Sequence, residues 1–256
     1  MCLIVFAWQA HPRYHLILAA NRDELHNRPA EAAGWWQDHP EMLAGRDLAA
    51  GGTWLAVGKS GRFATVTNYR EDRQAAAGLL SRGDLVTGFL AASSSPLGFA
   101  GSLQDSRYAG FSLLLAAGDE LAYVSNRGEA PRLLPPGVYG LSNCALDTPW
   151  PKLVRSRDRL RRLLRDDFVG EDSLLHLLGD TNEATKEEAE NGALPYPLPQ
   201  FQSSPFIVSQ EYGTRCSTAL LHGCDGTVTF SERRFDCDGD LSGQSRFEFA
   251  ATPALH

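Results

Sequence analysis

The 256-residue sequence is 43% hydrophobic and carries a formal net charge of −7. That is enough apolar material for a sizeable core, and the wrong sign for nucleic acid or an anionic membrane as partner. Five cysteines with no CxxC pair (Cys2, Cys144, Cys216, Cys224 and Cys237) point to reduced thiols in a cytoplasmic protein and argue against a disulfide framework. No run approaches the roughly 18 apolar residues of a transmembrane helix.

The chain opens MCLIVFAW. This start is no signal peptide: it lacks a basic flank, and His11, Pro12 and Arg13 end it early. LIVFAW (3–8) and YHLILAAN (14–21) read as a hairpin. A second hairpin turns at Lys59-Ser60-Gly61, between WLAVG and FATVTN. A third joins FSLLLAA to LAYVSN across Gly118-Asp119-Glu120, and a fourth joins STALLH to VTFSERRF across Cys224-Asp225-Gly226. RFEFA adds an edge strand. Several of these runs are apolar at consecutive positions, so both faces of their sheets must be covered. Helical spacing marks 83–94, 150–168 and 171–180. In the second of these, Leu153, Leu160, Leu163 and Leu164 form a stripe, and six arginines read as a solvated face. The segment 181–205 is polar and then proline-rich, a surface loop of the kind that serves as a lid. With no repeat and no linker, the chain reads as one domain over residues 1–256.

Two stretches carry the chemistry. If Met1 is removed, Cys2 presents a thiol and an α-amine on one residue, a nucleophile with its own base; otherwise Cys2 is a small buried strand residue. AANRDE (19–24) runs an apolar strand straight into charge. Alternation puts Asn21 and Asp23 on one face, Arg22 and Glu24 on the other. The hairpin brings the far end of the second strand beside the start of the first, which places Asp23 near Cys2 as a partner for the amine. Asn68 and Asn143 end strand-like runs, either as turn formers or as oxyanion donors. Arg215 opens a strand beside Cys216, where it would depress a thiol pKa or hold an acidic substrate, or else form a structural salt bridge. His11 and His15 have i,i+4 spacing, but Pro12 argues against a helical metal pair, and no metal site is expected.

These residues sit in pieces that, in order, resemble the NRDE family, also called the Transport and Golgi organisation protein 2 family. The pieces are MCLIVF, AANRDE with NRP (27–29), GRD with GGTWLAVGKSGRFATVTNYR (45–70), SRGDLV, YAGFSLLL, GVYGLSNCALDTPWPK and YGTRCSTALL. That family is in turn similar to the N-terminal-nucleophile hydrolases of the bile-salt hydrolase and penicillin V acylase group. The resemblance implies an α+β fold, an αββα four-layer sandwich of antiparallel sheets. It also implies Cys2 as nucleophile, Asp23 as its contact, Asn68 and Asn143 at the oxyanion positions and Arg215 as the distal arginine. One departure stands out: those hydrolases have an arginine three residues before the aspartate, where this chain has Ala20. Arg22 points away from Asp23, which leaves that role unfilled or moved. Asn21, Arg22 and Trp54 are the candidate binding residues.

The implied activity is hydrolysis of a small amide or acyl substrate without a cofactor. The alternative is a binding or trafficking protein with haem or an acyl-lipid as cargo, in an apolar pocket walled by Trp35, Trp36 and Trp54.

Overall fold

The computed structural model describes residues 2–71, 78–128, 130–191 and 200–252. Contacts divide the chain into two units. The first comprises Met1–Asn27, Pro136–Ser142 and Leu146–Glu248; the second comprises Arg28–Pro135, Asn143–Ala145 and Phe249–His256. The backbone leaves and re-enters each unit, so neither is a contiguous stretch.

In chain order, β1 (Cys2–His11) and β2 (Tyr14–Leu25) belong to the first unit. The second unit follows with β3 (Ala30–Trp35), β4 (Met42–Asp47), β5 (Leu55–Gly58), β6 (Phe63–Asn68), α1 (Gly83–Ala91), α2 (Pro96–Gly101), β7 (Phe111–Ala117), β8 (Glu120–Ser125) and β9 (Arg132–Leu133). The chain then returns to the first unit in β10 (Gly137–Leu141), α3 (Pro151–Arg165), α4 (Glu171–Leu178), α5 (Lys186–Asn191), β11 (Tyr212–Gly223), β12 (Thr227–Phe235) and β13 (Leu241–Ala250), the last two residues of which fall in the second unit.

The first unit is a six-stranded sheet in the order β10-β1-β2-β11-β12-β13. The hairpins read from sequence supply four of its strands, and RFEFA lies in its edge strand β13. Alternate residues of the central strands (Val5, Ala7, Ile17, Ala19, Ala219 and Leu221) pack under Leu160 of α3 and four leucines of α4. The other alternation, Ile4, Phe6, Leu18 and Leu220, is buried as well. Burial on both faces is why these strands are apolar at every position.

The second unit is a seven-stranded sheet in the order β3-β4-β5-β6-β7-β8-β9. Leu85, Val86 and Phe89 of α1 and Ala100 of α2 cover one of its faces. The fold is therefore α+β, with two antiparallel sheets and few helices. Among the described residues no helix is long and apolar enough to cross a membrane.

GGTW and SRGD meet in the second unit. A Cβ built on Gly52 would lie 2.7 Å from the backbone carbonyl carbon of Gly83, and one on Gly83 would lie 2.9 Å from the backbone nitrogen of Thr53. Two main chains touch there, and neither can yield as a flexible side chain would. Gly52→Ala is expected to lower stability by about 1–3 kcal/mol, read as a lower urea midpoint at unchanged m-value. An unchanged midpoint would mean that the two loops separate freely.

Strands β3 and β4 and the short helix α2 have no counterpart in the sequence reading. Of the segment 181–205, residues 192–199 lie outside the described residues, while α5 and the buried Ser203 and Ser204 lie within it.

Candidate active site

The first unit gathers Cys2, Asn21, Arg22, Asp23 and Arg215 where β1, β2 and β11 run side by side. Register fixes which side chains share a face. Cys2 pairs with Arg22, Arg22 with Cys216, and Cys216 with Arg234, one rung across four strands. Residues directly opposite in an antiparallel pair point the same way. Arg22 therefore shares the face of Cys2. It does point away from Asp23, as alternation requires, but it fills the rung of the thiol, so an arginine stands at Cys2 although the position three before Asp23 is Ala20.

Burial pushes the Cys2 thiol up, and the Asp23 charge acts in the same direction. The Arg22 guanidinium and the backbone N–H of Asp23, which is directed at the sulfur, pull it down. Ser142, just past β10, donates its hydroxyl to the Cys2 carbonyl at 2.7 Å and ties the first residue of β1 to the neighbouring strand. Cys216 is more deeply buried than Cys2, and burial followed by the charge of Glu232 holds its thiol well above the ordinary range.

The Asp23 side chain lies on the opposite, helix-bearing face. Thr214, its register partner on β11, donates to Oδ1 at 2.7 Å. Lys152 Nζ of α3 lies 3.8 Å from Oδ2, and the two side chains are 1% and 0% exposed. The Tyr212 hydroxyl donates to the Asp23 carbonyl at 3.0 Å. Burial pushes the Asp23 carboxyl up, while Lys152 and then Thr214 pull it back. Lys152, Thr214, Tyr212 and Ser142 are the residues that sequence reasoning missed. Lys152, Ser156 and Leu160, at i, i+4 and i+8 of α3, are all buried.

Asn21 is committed to the protein itself. Its Nδ2 donates to the carbonyls of Leu178 and Pro205, and its Oδ1 accepts from Ser217. That leaves it a buried clamp between β2, β11 and the end of α4, where the sequence suggested a ligand contact. Arg215 is the extra residue of a bulge, since Thr214 pairs with Asp23 and Cys216 with Arg22. Bulges of this kind re-aim side chains. One Nη of Arg215 donates to the carbonyls of Leu25 and His26, and burial followed by the Arg22 charge lowers its pKa.

Asn68 and Asn143 belong to the second unit. Asn143 is buried, and its Nδ2 donates to the Asn68 carbonyl at 2.8 Å, while its own carbonyl accepts from the Arg70 N–H. The pair clips residues 143–145 to the end of β6. The three tryptophans expected to wall a pocket are also in this unit and are engaged there. Trp54 lies against Gly45, where a Cβ would meet its ring at 2.5 Å. Trp36 donates to the Ala44 carbonyl beneath the Arg46 guanidinium, and Trp35 packs edgewise on Phe249. A cleft of about 280 Å³ in this unit is lined by residues 38–42 with Thr87, Leu90 and Ala91, and by none of the three tryptophans.

The family profile Transport and Golgi organisation 2 matches residues 1–237. The Transport and Golgi organization protein 2 homolog of Bos taurus is 38% identical, over 91% of this chain and 92% of its own. The human homolog is 37% identical, over 94% and 95%. Among solved structures, a mutant conjugated bile acid hydrolase from Clostridium perfringens aligns with a TM-score of 0.50 at 9% identity, covering 100% of this chain and 98% of that one. An N-acylethanolamine-hydrolyzing acid amidase ortholog from Caenorhabditis elegans aligns with a TM-score of 0.47 at 12% identity, over 86% and 92%. The fold is that of the N-terminal-nucleophile hydrolases, and the chain belongs to the Transport and Golgi organisation 2 family.

Proposed function

We propose that the protein is a thiol hydrolase of the N-terminal-nucleophile type, active in the form whose first residue is Cys2, and that it acts on a small amide or related acyl compound. The observation that carries this reading is the arrangement around Cys2. A guanidinium shares its rung, a main-chain N–H is directed at its sulfur, and the adjacent Asp23 carboxylate is fixed by Thr214 and Lys152. The fold shared with a bile acid hydrolase supports the same reaction class, although fold alone does not establish chemistry.

In this mechanism the α-amine of Cys2 takes the thiol proton, and the sulfur attacks the substrate carbonyl carbon to form a C–S bond. Collapse of the tetrahedral intermediate expels the leaving amine with that proton. Water then cleaves the thioester and restores the thiol. Asp23 offsets the positive charge on the α-amine, and Arg22 favours the thiolate. The family resemblance gives Asn68 and Asn143 the oxyanion role, which we propose on that ground alone; Asn143→Ala is expected to lower acyl transfer by roughly 10²–10³.

Brief treatment with substoichiometric iodoacetamide, followed by intact mass and peptide mapping, tests the nucleophile. Cys2 should be labelled first and the buried Cys216 last. Labelling of the exposed Cys224, or of Cys237, ahead of Cys2 would remove the nucleophile assignment.

A further inference from the structure

Lys152 is a buried cation in an unfavourable place. It sits in the first turn of α3, directly after Pro151, where the positive end of the helix dipole disfavours a cation. The other two lysines of the chain, Lys59 and Lys186, have side chains 44% and 91% exposed, whereas that of Lys152 is 1% exposed. Stability alone gives little reason for the arrangement, because replacing a buried ion pair by apolar residues of similar volume is often neutral or stabilising. What distinguishes the site is the identity of the carboxylate. Asp23 is the residue whose own N–H meets the Cys2 sulfur.

We propose that Lys152 is a positioning residue for the chemistry of Cys2, holding the Asp23 carboxylate charged and in place at neutral pH. The role in catalysis rests on the reading of Cys2 as N-terminal nucleophile; the effect on Asp23 does not. The Asp23 carboxyl is faced by the ammonium of Lys152 from α3 and the hydroxyl of Thr214 from β11, its carbonyl by the hydroxyl of Tyr212, and the charges of Arg22 on its own strand and of Cys2 from β1 interact with it from the other face of the sheet. Lys152 opposes the burial that favours the neutral acid. Without it, Asp23 takes up a proton. When the α-amine of Cys2 then accepts the thiol proton, the resulting ammonium lacks its countercharge. The thiolate–ammonium form then needs a higher pH.

The test uses the full chain beginning at Cys2 with ¹³C-carboxyl-labelled aspartate, the Asp23 resonance being identified by its loss in Asp23→Asn. In the unsubstituted protein Asp23 should be ionised at pH 7. Lys152→Met should raise its titration midpoint by a unit or more and slow iodoacetamide labelling of Cys2 at pH 7 by about tenfold. Adding Lys152→Met to Asp23→Asn should slow labelling no further. An unshifted Asp23 titration in Lys152→Met overturns the proposal, as does an equal slowing of Cys2 in the Asp23→Asn background. If Lys152→Met does not fold, Lys152→Gln, neutral and hydrogen-bonding, is read by the same two measurements with the same criteria. If Cys2 is not the fastest thiol of the unsubstituted protein, the functional reading fails, while the Asp23 titration still decides what Lys152 does.

Discussion

Asp23→Ala is expected to destabilise the protein by about 3–5 kcal/mol, more than any surface substitution. The reason is geometric. The carboxylate accepts from Thr214 and lies beside an ammonium that is 1% exposed, so its loss removes a countercharge from that ammonium and the acceptor of the Thr214 hydroxyl together. Each loss is costly in a low dielectric. Urea denaturation reads the loss directly. A companion protein, Asp23→Ala with Lys152→Met, should recover more than half of it, because the double substitution removes the charge along with its partner. Additive losses would mean that the two residues act independently and that 3.8 Å does not amount to coupling.

The second large effect concerns the first residues of the chain. Protein released with Cys2 as its first residue is expected to cleave a fluorogenic acyl-amide or thioester, and Cys2→Ala to lower that rate by 10⁴-fold or more, on the order seen when a covalent nucleophile is removed. The same chain retaining Met1 should resemble Cys2→Ala. Its amine belongs to the wrong residue, and burial still holds the thiol above its ordinary range. Equal rates for the two forms would exclude the α-amine as base. A rate that survives Cys2→Ala would move the reaction to another residue.

The hairpins were legible because their strands are apolar at consecutive positions and end in recognisable turns, but the register of the first is shifted by an irregularity between Trp8 and His11 that the sequence does not mark. Strands β3 and β4 were not. Their sequences, AEAAGW and MLAGRD, are rich in alanine and glycine and show neither alternation nor a β-branched run. Helix α2 is a six-residue element, PLGFAG, whose proline and glycines read as a turn, although Ser95 caps it by accepting from the Gly98 N–H. In the site, the adjacency of Cys2 and the AANRDE strand follows from pairing alone. Which face carries which side chain does not, because it depends on the register, and only the register puts Arg22 on the rung of Cys2. Lys152 was hidden for another reason. A lysine among arginines near a helix start reads as solvated, and burial of a charge depends on a partner far away in sequence.

The place of β11 in the sheet has a consequence during synthesis. It lies beside β2, so that Thr214 bonds Asp23 across 191 residues of chain. At roughly 5–20 residues per second, the N-terminal hairpin leaves the ribosome about 10–40 s before its neighbour exists. Throughout that interval one edge of β2 presents unpaired main-chain groups along a strand apolar on both faces, a template for pairing with other nascent chains. Folding dominated by such distant pairings is slow. A ribosome-stalled chain ending before Tyr212 should therefore engage chaperones, and release from them should coincide with the emergence of β11.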